Sequence, residues 1–156
     1  MTYLKAFINN YMLIAAIAAW LTAQILKVFT GMFSKEKFSL LRLLFSNGGM
    51  PSSHTAAVIS LATAALILYG VGSSVFAVCA ILTFITINDA MGVRYETGKQ
   101  SKVINQIMRE MSSGKPESVE TGLKELVGHT PLQVVMGAIT GIIVAVILAF
   151  AYGILP

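Results

Sequence analysis

The stretch TAAVISLATAALILYGVGSSVFAVCAILTFITI, residues 55–87, contains 33 residues and no formal charge. A straight α-helix of that length would extend about 50 Å, whereas the hydrocarbon core of a bilayer is about 30 Å thick. The cluster Gly70-Val71-Gly72-Ser73-Ser74 near its centre favours a turn. The stretch therefore predicts a helical hairpin with arms at 53–69 and 75–91, and the small residues of the first arm allow close helix packing.

Two further apolar stretches, 11–29 and 131–155, are long enough to cross a membrane, and the first is interrupted only by Gln24 and Lys27. The composition agrees, with 56% hydrophobic residues, 12% charged residues and a mean hydropathy of +0.77. These values exclude a disordered chain, a disulfide scaffold and an ordinary cytosolic enzyme. The sequence thus predicts an all-α polytopic bundle of about four spans, forming a single membrane-embedded domain over residues 1–156.

The basic residues predict the orientation of this bundle. Of the 11 Lys and Arg residues, only Lys5 lies outside the last turns of the first span and the two long loops, 30–52 and 94–130. Four spans place both loops on one side, and basic loops remain in the cytoplasm. We therefore expect a multi-pass cell-membrane protein with both termini outside.

The second long loop contains an amphipathic pattern. Five apolar residues recur at helical spacing between polar ones: Val103, Ile104, Ile107, Met108 and Met111. This predicts a short helix that lies either on the membrane surface or against the bundle. A second short helix is predicted to begin at Pro116 and to end at Gly128.

The chain has two histidines, His54 and His129, and each lies where a cytoplasmic loop enters a predicted span. The first N–H groups of a helix have no partners within the helix and carry partial positive charge, so they bind anions. Because both helices are entered from the same side, the two imidazoles are expected to flank one bound anion.

Residues beside His54 suit the same task. Ser52 and Ser53 can cap the helix or donate hydroxyl groups to phosphate, and Gly48 and Gly49 allow close approach of the backbone to a ligand. A purely structural interpretation also exists for both sites, because Thr130-Pro131-Leu132-Gln133 fits a capping box.

Three strings of the chain together resemble the divergent bacterial and plant branch of the phosphatidic acid phosphatase type 2 superfamily. That superfamily includes vanadium haloperoxidases and bacterial acid phosphatases, and the resemblance extends over about residues 24–141. The strings are GGMPSSH at 48–54, NDAMGVR at 88–94 and GHTP at 128–131.

The resemblance implies a helical bundle that hydrolyses phosphate esters through a phosphohistidine, without a metal or other cofactor. It implies that His129 is the nucleophile, that His54 is the acid for the leaving oxygen, and that Ser52 and Ser53 hold the phosphoryl group. The superfamily is marked by three sequence signatures. Where the third of these has Arg and Asp, this chain has Leu123 and Gln133. Gln133 can orient an imidazole but cannot stabilise an imidazolium by charge, and Asp89 is a candidate to compensate.

Cations for the phosphate are also predicted. Arg94 is the preferred clamp, because a guanidinium binds two phosphate oxygens at once. Lys27, inside a membrane segment, is a second candidate. Lys35 and Arg42 have the spacing of the first signature of the superfamily, although Leu43 replaces its proline.

These features predict a metal-independent lipid-phosphate phosphatase at the cytoplasmic face. Its expected substrates are phosphatidylglycerophosphate, phosphatidic acid or a prenyl phosphate, with no nucleic-acid partner; homo-oligomers are left open. Two alternatives remain: a non-catalytic membrane protein that binds anionic lipid or organises a partner enzyme, and a channel or transporter subunit. A haloperoxidase is disfavoured, because membrane spans are unusual in that class.

Overall fold

The computed structural model describes residues 2–32, 49–111, 123 and 128–156. Within these residues the chain is helical, with no strand, which confirms the all-α prediction. The helices are α1 (Thr2–Ile8), α2 (Tyr11–Met32), α3 (Ser53–Tyr69), α4 (Ser74–Met91), α5 (Val93–Met111) and α6 (Pro131–Ala151). Lys35, Arg42, Gly48 and the helix predicted from Pro116 lie outside the described residues.

Three helical stretches are long and apolar enough to cross a membrane: Tyr11–Thr30, Ser74–Met111 and Pro131–Ala151. The helix α3 is also apolar but has only 17 residues. It forms the predicted hairpin with α4: the chain turns at Gly70, whose φ of 77° favours glycine, and Ser73 caps α4 by accepting a hydrogen bond from the Phe76 N–H.

The helix α3 lies at the centre of the bundle and contacts α2, α4 and α6. Its contact with α6 is close because two glycines face it. A Cβ at Gly137 would lie 2.5 Å from the Ser52 carbonyl oxygen, and one at Gly141 would lie 2.5 Å from that of Ala56. On its α2 side, Ala56 packs against Ala19 and Ala23. Small residues thus let the backbones approach, as predicted for this helix.

The opposite end of the bundle is held by two tyrosines. The Tyr11 hydroxyl donates to the Ala145 carbonyl at 2.8 Å, and the Tyr152 hydroxyl donates to that of Ile8 at 2.7 Å. The two rings also pack together, with centroids 5.7 Å apart. These contacts connect the start of α2 with the end of α6, so that both helices lead to the histidine end in a fixed register.

Candidate active site

The starts of α3 and α6 are joined through Ser52. Its backbone N–H donates to the Gln133 carbonyl at 2.9 Å, and its hydroxyl oxygen accepts from the Thr55 N–H and the Thr55 hydroxyl. Ser52 is fully buried. In the structure its hydroxyl caps α3, and the role in phosphate binding expected for Ser52 stays a prediction.

The end of α2 packs against the segment that enters α3. Lys27 Nζ donates to Ser53 Oγ at 3.1 Å, and the Thr30 hydroxyl donates to the Met50 carbonyl at 2.6 Å. Gly49, whose φ is 95°, lies against the Lys27 side chain, since a Cβ there would be 3.7 Å from Lys27 Cγ. Lys27 of α2 therefore lies beside Gly49 and Ser53, which belong to the string at 48–54.

The backbone of His129 is fixed by the junction between α4 and α5. Its N–H donates to the Ala90 carbonyl at 3.0 Å. The preceding residue, Gly128, has a φ of 95°, and a Cβ on it would lie 2.5 Å from the Tyr95 nitrogen and 2.8 Å from the Arg94 carbonyl carbon. The side chain and backbone of His129 together are only 4% exposed. Neither contact has a signal in the local sequence, because both partners lie more than 30 residues away.

The capping box of α6 determines the tautomer of His129. The Thr130 N–H donates to Gln133 Oε1 at 3.0 Å, so Gln133 must present its amide oxygen at this point. His129 Nδ1 lies 3.2 Å from the same oxygen and must therefore carry the proton that it donates. In the neutral ring the lone pair is then on Nε2, as a nucleophilic histidine requires.

The electrostatic surroundings favour the neutral form of His129. Burial lowers the pKa of His129, the hydrogen bond to Gln133 raises it, and the positive charges of Lys27, His54 and Arg94 lower it, with a net value below the ordinary 6.5. Two permanent cations, Lys27 from α2 and Arg94 from α5, therefore act on one imidazole together with His54 of α3. Such a convergence of positive charge is suited to a bound anion.

Arg94 and Asp89 form an ion pair beside this cluster. Arg94 Nε donates to Asp89 Oδ2 at 2.6 Å, and both side chains are about half exposed, at 48% and 44%. The structure thus pairs Asp89 with Arg94. The expectations that Asp89 compensates for Gln133, and that Arg94 clamps phosphate, stay predictions.

Within the described residues, no three His, Cys, Asp or Glu side chains form a group that could hold a metal ion. The capping box, both histidines and Lys27 were predicted from the sequence. The Ala90 carbonyl, the packing of Gly128 and the bond between Ser52 and Gln133 were not predicted, because all three are tertiary contacts.

The described residues form a helical bundle with two histidines at adjoining helix starts, as the resemblance to the phosphatidic acid phosphatase type 2 superfamily implies. The chain belongs to the divergent PAP2 family, whose model matches residues 8–144, and the predicted resemblance is thereby confirmed. It is 37% identical to the uncharacterized membrane protein YuiD of Bacillus subtilis (strain 168) over 155 residues, which cover 93% of this chain and 98% of the relative. No solved structure matches the chain significantly.

Proposed function

We propose that this membrane protein is a phosphatase that hydrolyses lipid phosphomonoesters through a phosphohistidine on His129. One observation carries the proposal: the buried His129 ring, held by Gln133 with its lone pair on Nε2, lies within the field of the cations Lys27 and Arg94. A phosphate monoester, which is dianionic near neutral pH, would be stabilised by both of them.

The proposed reaction has two steps. In the first, Nε2 of His129 attacks phosphorus, the bond between phosphorus and the lipid oxygen breaks, and protonated His54 gives its proton to that oxygen. In the second, neutral His54 removes a proton from water, the water oxygen attacks phosphorus, and the P–N bond breaks. Inorganic phosphate is released and both histidines return to their initial states.

We propose four spans, counting α3 with the three longer stretches. The 17 residues of α3 are fewer than the ~20 that a perpendicular helix needs, but they lie within the ~17–25 range that bilayers accommodate. The histidine end then faces the cytoplasm together with the basic loops, and both termini lie outside.

This orientation limits the proposed substrates to lipid phosphates that are made inside the cell: phosphatidylglycerophosphate, phosphatidic acid or a prenyl phosphate. The direct experiment is phosphate release by the purified protein in detergent micelles from a panel of these lipids, with EDTA present. Release that survives EDTA supports the proposal, whereas release abolished by the chelator, or no release from any lipid of the panel, contradicts it.

The second candidate is a non-catalytic protein that binds anionic lipid or organises a partner enzyme. It is favoured by Gln133 and Leu123, which stand where the superfamily signature has an acid and an arginine. In that case lipid phosphates would bind at the same cations and no phosphate would be released. Equilibrium binding measured beside release in the same panel distinguishes the two functions.

Replacing Gln133 by glutamate is expected to increase turnover and to shift its pH dependence. The pKa of His129 lies below 6.5, mainly because of burial, so the acid limb of kcat/KM should lie below pH 6.5 in the natural protein. A carboxylate at position 133 would stabilise the imidazolium and move that limb to higher pH. We expect turnover at pH 7.5 to rise by at least ~10-fold. The corresponding carboxylate of serine proteases contributes ~10⁴-fold to the rate.

Gln133→Met is the matched control, because it removes the hydrogen bond to His129 while keeping an unbranched chain of comparable size. We expect it to lower kcat without changing the helical content measured by circular dichroism. An acid limb of Gln133→Glu at the same pH as that of the natural protein would contradict the proposed role of this contact.

Replacing Lys27 by methionine is expected to raise KM for a lipid phosphate by ~10-fold or more, since a hydrogen bond to a charged group contributes ~1.5–3 kcal/mol. Lys27 donates to Ser53 beside His54, and its charge reaches His129. The measurement is kcat and KM in mixed micelles. Lys5→Met, which removes an exposed cation from α1, is the control and should leave both constants unchanged. If kcat and KM of Lys27→Met equalled those of the natural protein, Lys27 would not belong to the site.

A further inference from the structure

The helix α5 presents its polar face to the protein and its apolar face outward. The residues buried on α5 are Gly98, Ser101 and Asn105. The apolar residues are exposed, including Val103 at 57% and Met111 at 80%. An ordinary surface helix of a water-soluble protein would show the opposite arrangement. The sequence left open whether this helix lies on the membrane or against the bundle, and the five apolar side chains of its predicted pattern are 37–80% exposed within the described residues.

We infer that α5 lies in the headgroup layer of the cytoplasmic leaflet, with its apolar face in contact with the acyl chains of anionic phospholipids. The connection of α5 to an apolar helix supports this position. The candidate span Ser74–Met111 comprises α4 and α5: the apolar α4 ends at Met91, and the amphipathic α5 begins at Val93. An amphipathic helix tethered so close to a bilayer places its apolar face in the interface.

The basic residues of α5 support the same position. On an α-helix with 100° between successive residues, Lys99, Lys102 and Arg109 lie on the side away from the centre of the apolar face. Basic residues on the polar side of an interfacial helix bind anionic headgroups. A shallow groove of about 380 Å³ joins the two sides and is lined by Lys99, Gln100, Val103 and Ile104. Lys99 Nζ donates to Glu96 Oε1 at 2.8 Å, so the groove combines an ion pair at its edge with aliphatic surface.

Two contacts connect α5 with the segment that precedes the proposed nucleophile, His129. The Asn105 amide nitrogen donates to the Leu123 carbonyl at 2.7 Å, and its oxygen accepts from the Leu123 N–H at 2.8 Å. Asn105 therefore holds the loop six residues before His129, and Gly128 packs on the backbone of Tyr95 at the start of α5. If α5 is fixed on the lipid surface, both ends of this loop are fixed with it. This part of the inference rests on the proposed function: anionic lipid should activate the phosphatase.

The position of α5 is tested by quenching with lipids that have brominated acyl chains. Cys79 is the only cysteine and is replaced by alanine, and bimane is then attached to a single new cysteine in Ile107→Cys or, as the matched control, in Lys102→Cys. The proteins are reconstituted in vesicles of phosphatidylglycerol and phosphatidylcholine. We expect quenching at position 107 to exceed quenching at position 102 by several-fold. Equal quenching at the two positions would overturn the inference. Fluorescence at position 107 that changes with protein density and not with bromination would also overturn it, because it would indicate a second copy of the protein on this face.

The link to His129 is tested separately, by the ratio of lipid-phosphate turnover in anionic and in neutral vesicles. Attraction to an anionic surface contributes ~1 kcal/mol per Lys or Arg. We therefore expect each basic residue of α5 that reaches the surface to raise the ratio by about fivefold. Asn105→Ala should bring the ratio to one while leaving the quenching at position 107 unchanged. A mere loss of stability would change the quenching as well. An unchanged ratio in Asn105→Ala would overturn the link. Because quenching needs no catalysis, an inactive protein would contradict the proposed function and leave the position of α5 to be decided on its own.

Discussion

Replacing His129 by alanine is expected to reduce phosphate release from a lipid phosphate by at least ~10⁴-fold, on the scale of the ~10⁶-fold loss that follows removal of the nucleophile in a serine protease. His129 is the one imidazole whose tautomer is determined by its surroundings, through Gln133 and the Thr130 N–H. No neighbouring group can replace it, because His54 carries the proton that the leaving oxygen requires in the proposed mechanism. The measurement is phosphate release by purified protein in micelles.

The control for this experiment is His54→Ala, which should have a different profile. Without the acid, esters with poor leaving groups should become very slow, whereas an aryl phosphate, whose leaving oxygen needs little protonation, should lose much less of its rate in the first step. If His129→Ala retained more than about a tenth of the natural rate, His129 would not be the nucleophile. If both variants lost the same fraction of the hydrolysis rate for the lipid phosphate and for the aryl phosphate, the separate roles proposed for the two histidines would be wrong.

Replacing Gly128 by alanine is expected to have the second largest effect, a loss of activity of ~10²-fold or more with the bundle still assembled. Two costs combine at this residue. Its φ of 95° strains any residue with a Cβ, by about 1–2 kcal/mol. In addition, the Cβ would lie 2.5–2.8 Å from backbone atoms of Arg94 and Tyr95, which cannot move as a flexible side chain would. The loop must then shift, and a displacement of 1 Å at a reacting group costs about 10²-fold.

Gly153→Ala separates the two costs. Gly153 also has a positive φ, 65°, but a Cβ there would have no atom within 4 Å, and it lies at the end of α6 far along the helix from His129. We expect Gly153→Ala to change thermal stability slightly and turnover not at all. Circular dichroism and gel filtration in detergent verify that both variants are folded. Full activity of Gly128→Ala would show that the contact between Gly128 and the α4–α5 junction does not position His129.

The sequence predicted the helices well because their signals are local. The 33 uncharged residues of the central stretch exceed one membrane crossing, and the Gly70–Ser74 cluster supplies the turn, so the hairpin of α3 and α4 follows from length and turn chemistry alone. The capping box at Thr130 and Gln133 was also predictable, since its spacing of three residues reflects helix geometry. The amphipathic helix was predicted as a helix, but it begins ten residues before its first predicted apolar residue, Val103, because its first turns are polar.

The site was predictable in its residue types and not in its connections. Gln133 was recognised as a partner for an imidazole, yet its second role, as the carbonyl that accepts the Ser52 N–H, depends on how α3 and α6 pack. Similarly, Asn105 reads as an ordinary polar residue of an amphipathic helix, whereas in the fold it is buried and binds both backbone groups of Leu123. The first of these contacts depends on the close approach of α3 and α6 at Gly137 and Gly141, which spacing along the chain does not encode.

The most direct test of the central claim is to trap the phosphoryl group on the protein. His54→Ala protein is mixed with a ³²P-labelled aryl phosphate in the presence of EDTA, quenched in alkali and digested. Because this variant lacks the base for the second step, we expect a base-stable, acid-labile label to accumulate on the peptide that contains His129, and none in the variant that carries His129→Ala as well. Hydrolysis by the natural protein with no label on any histidine, or with the label elsewhere than His129, would contradict the account.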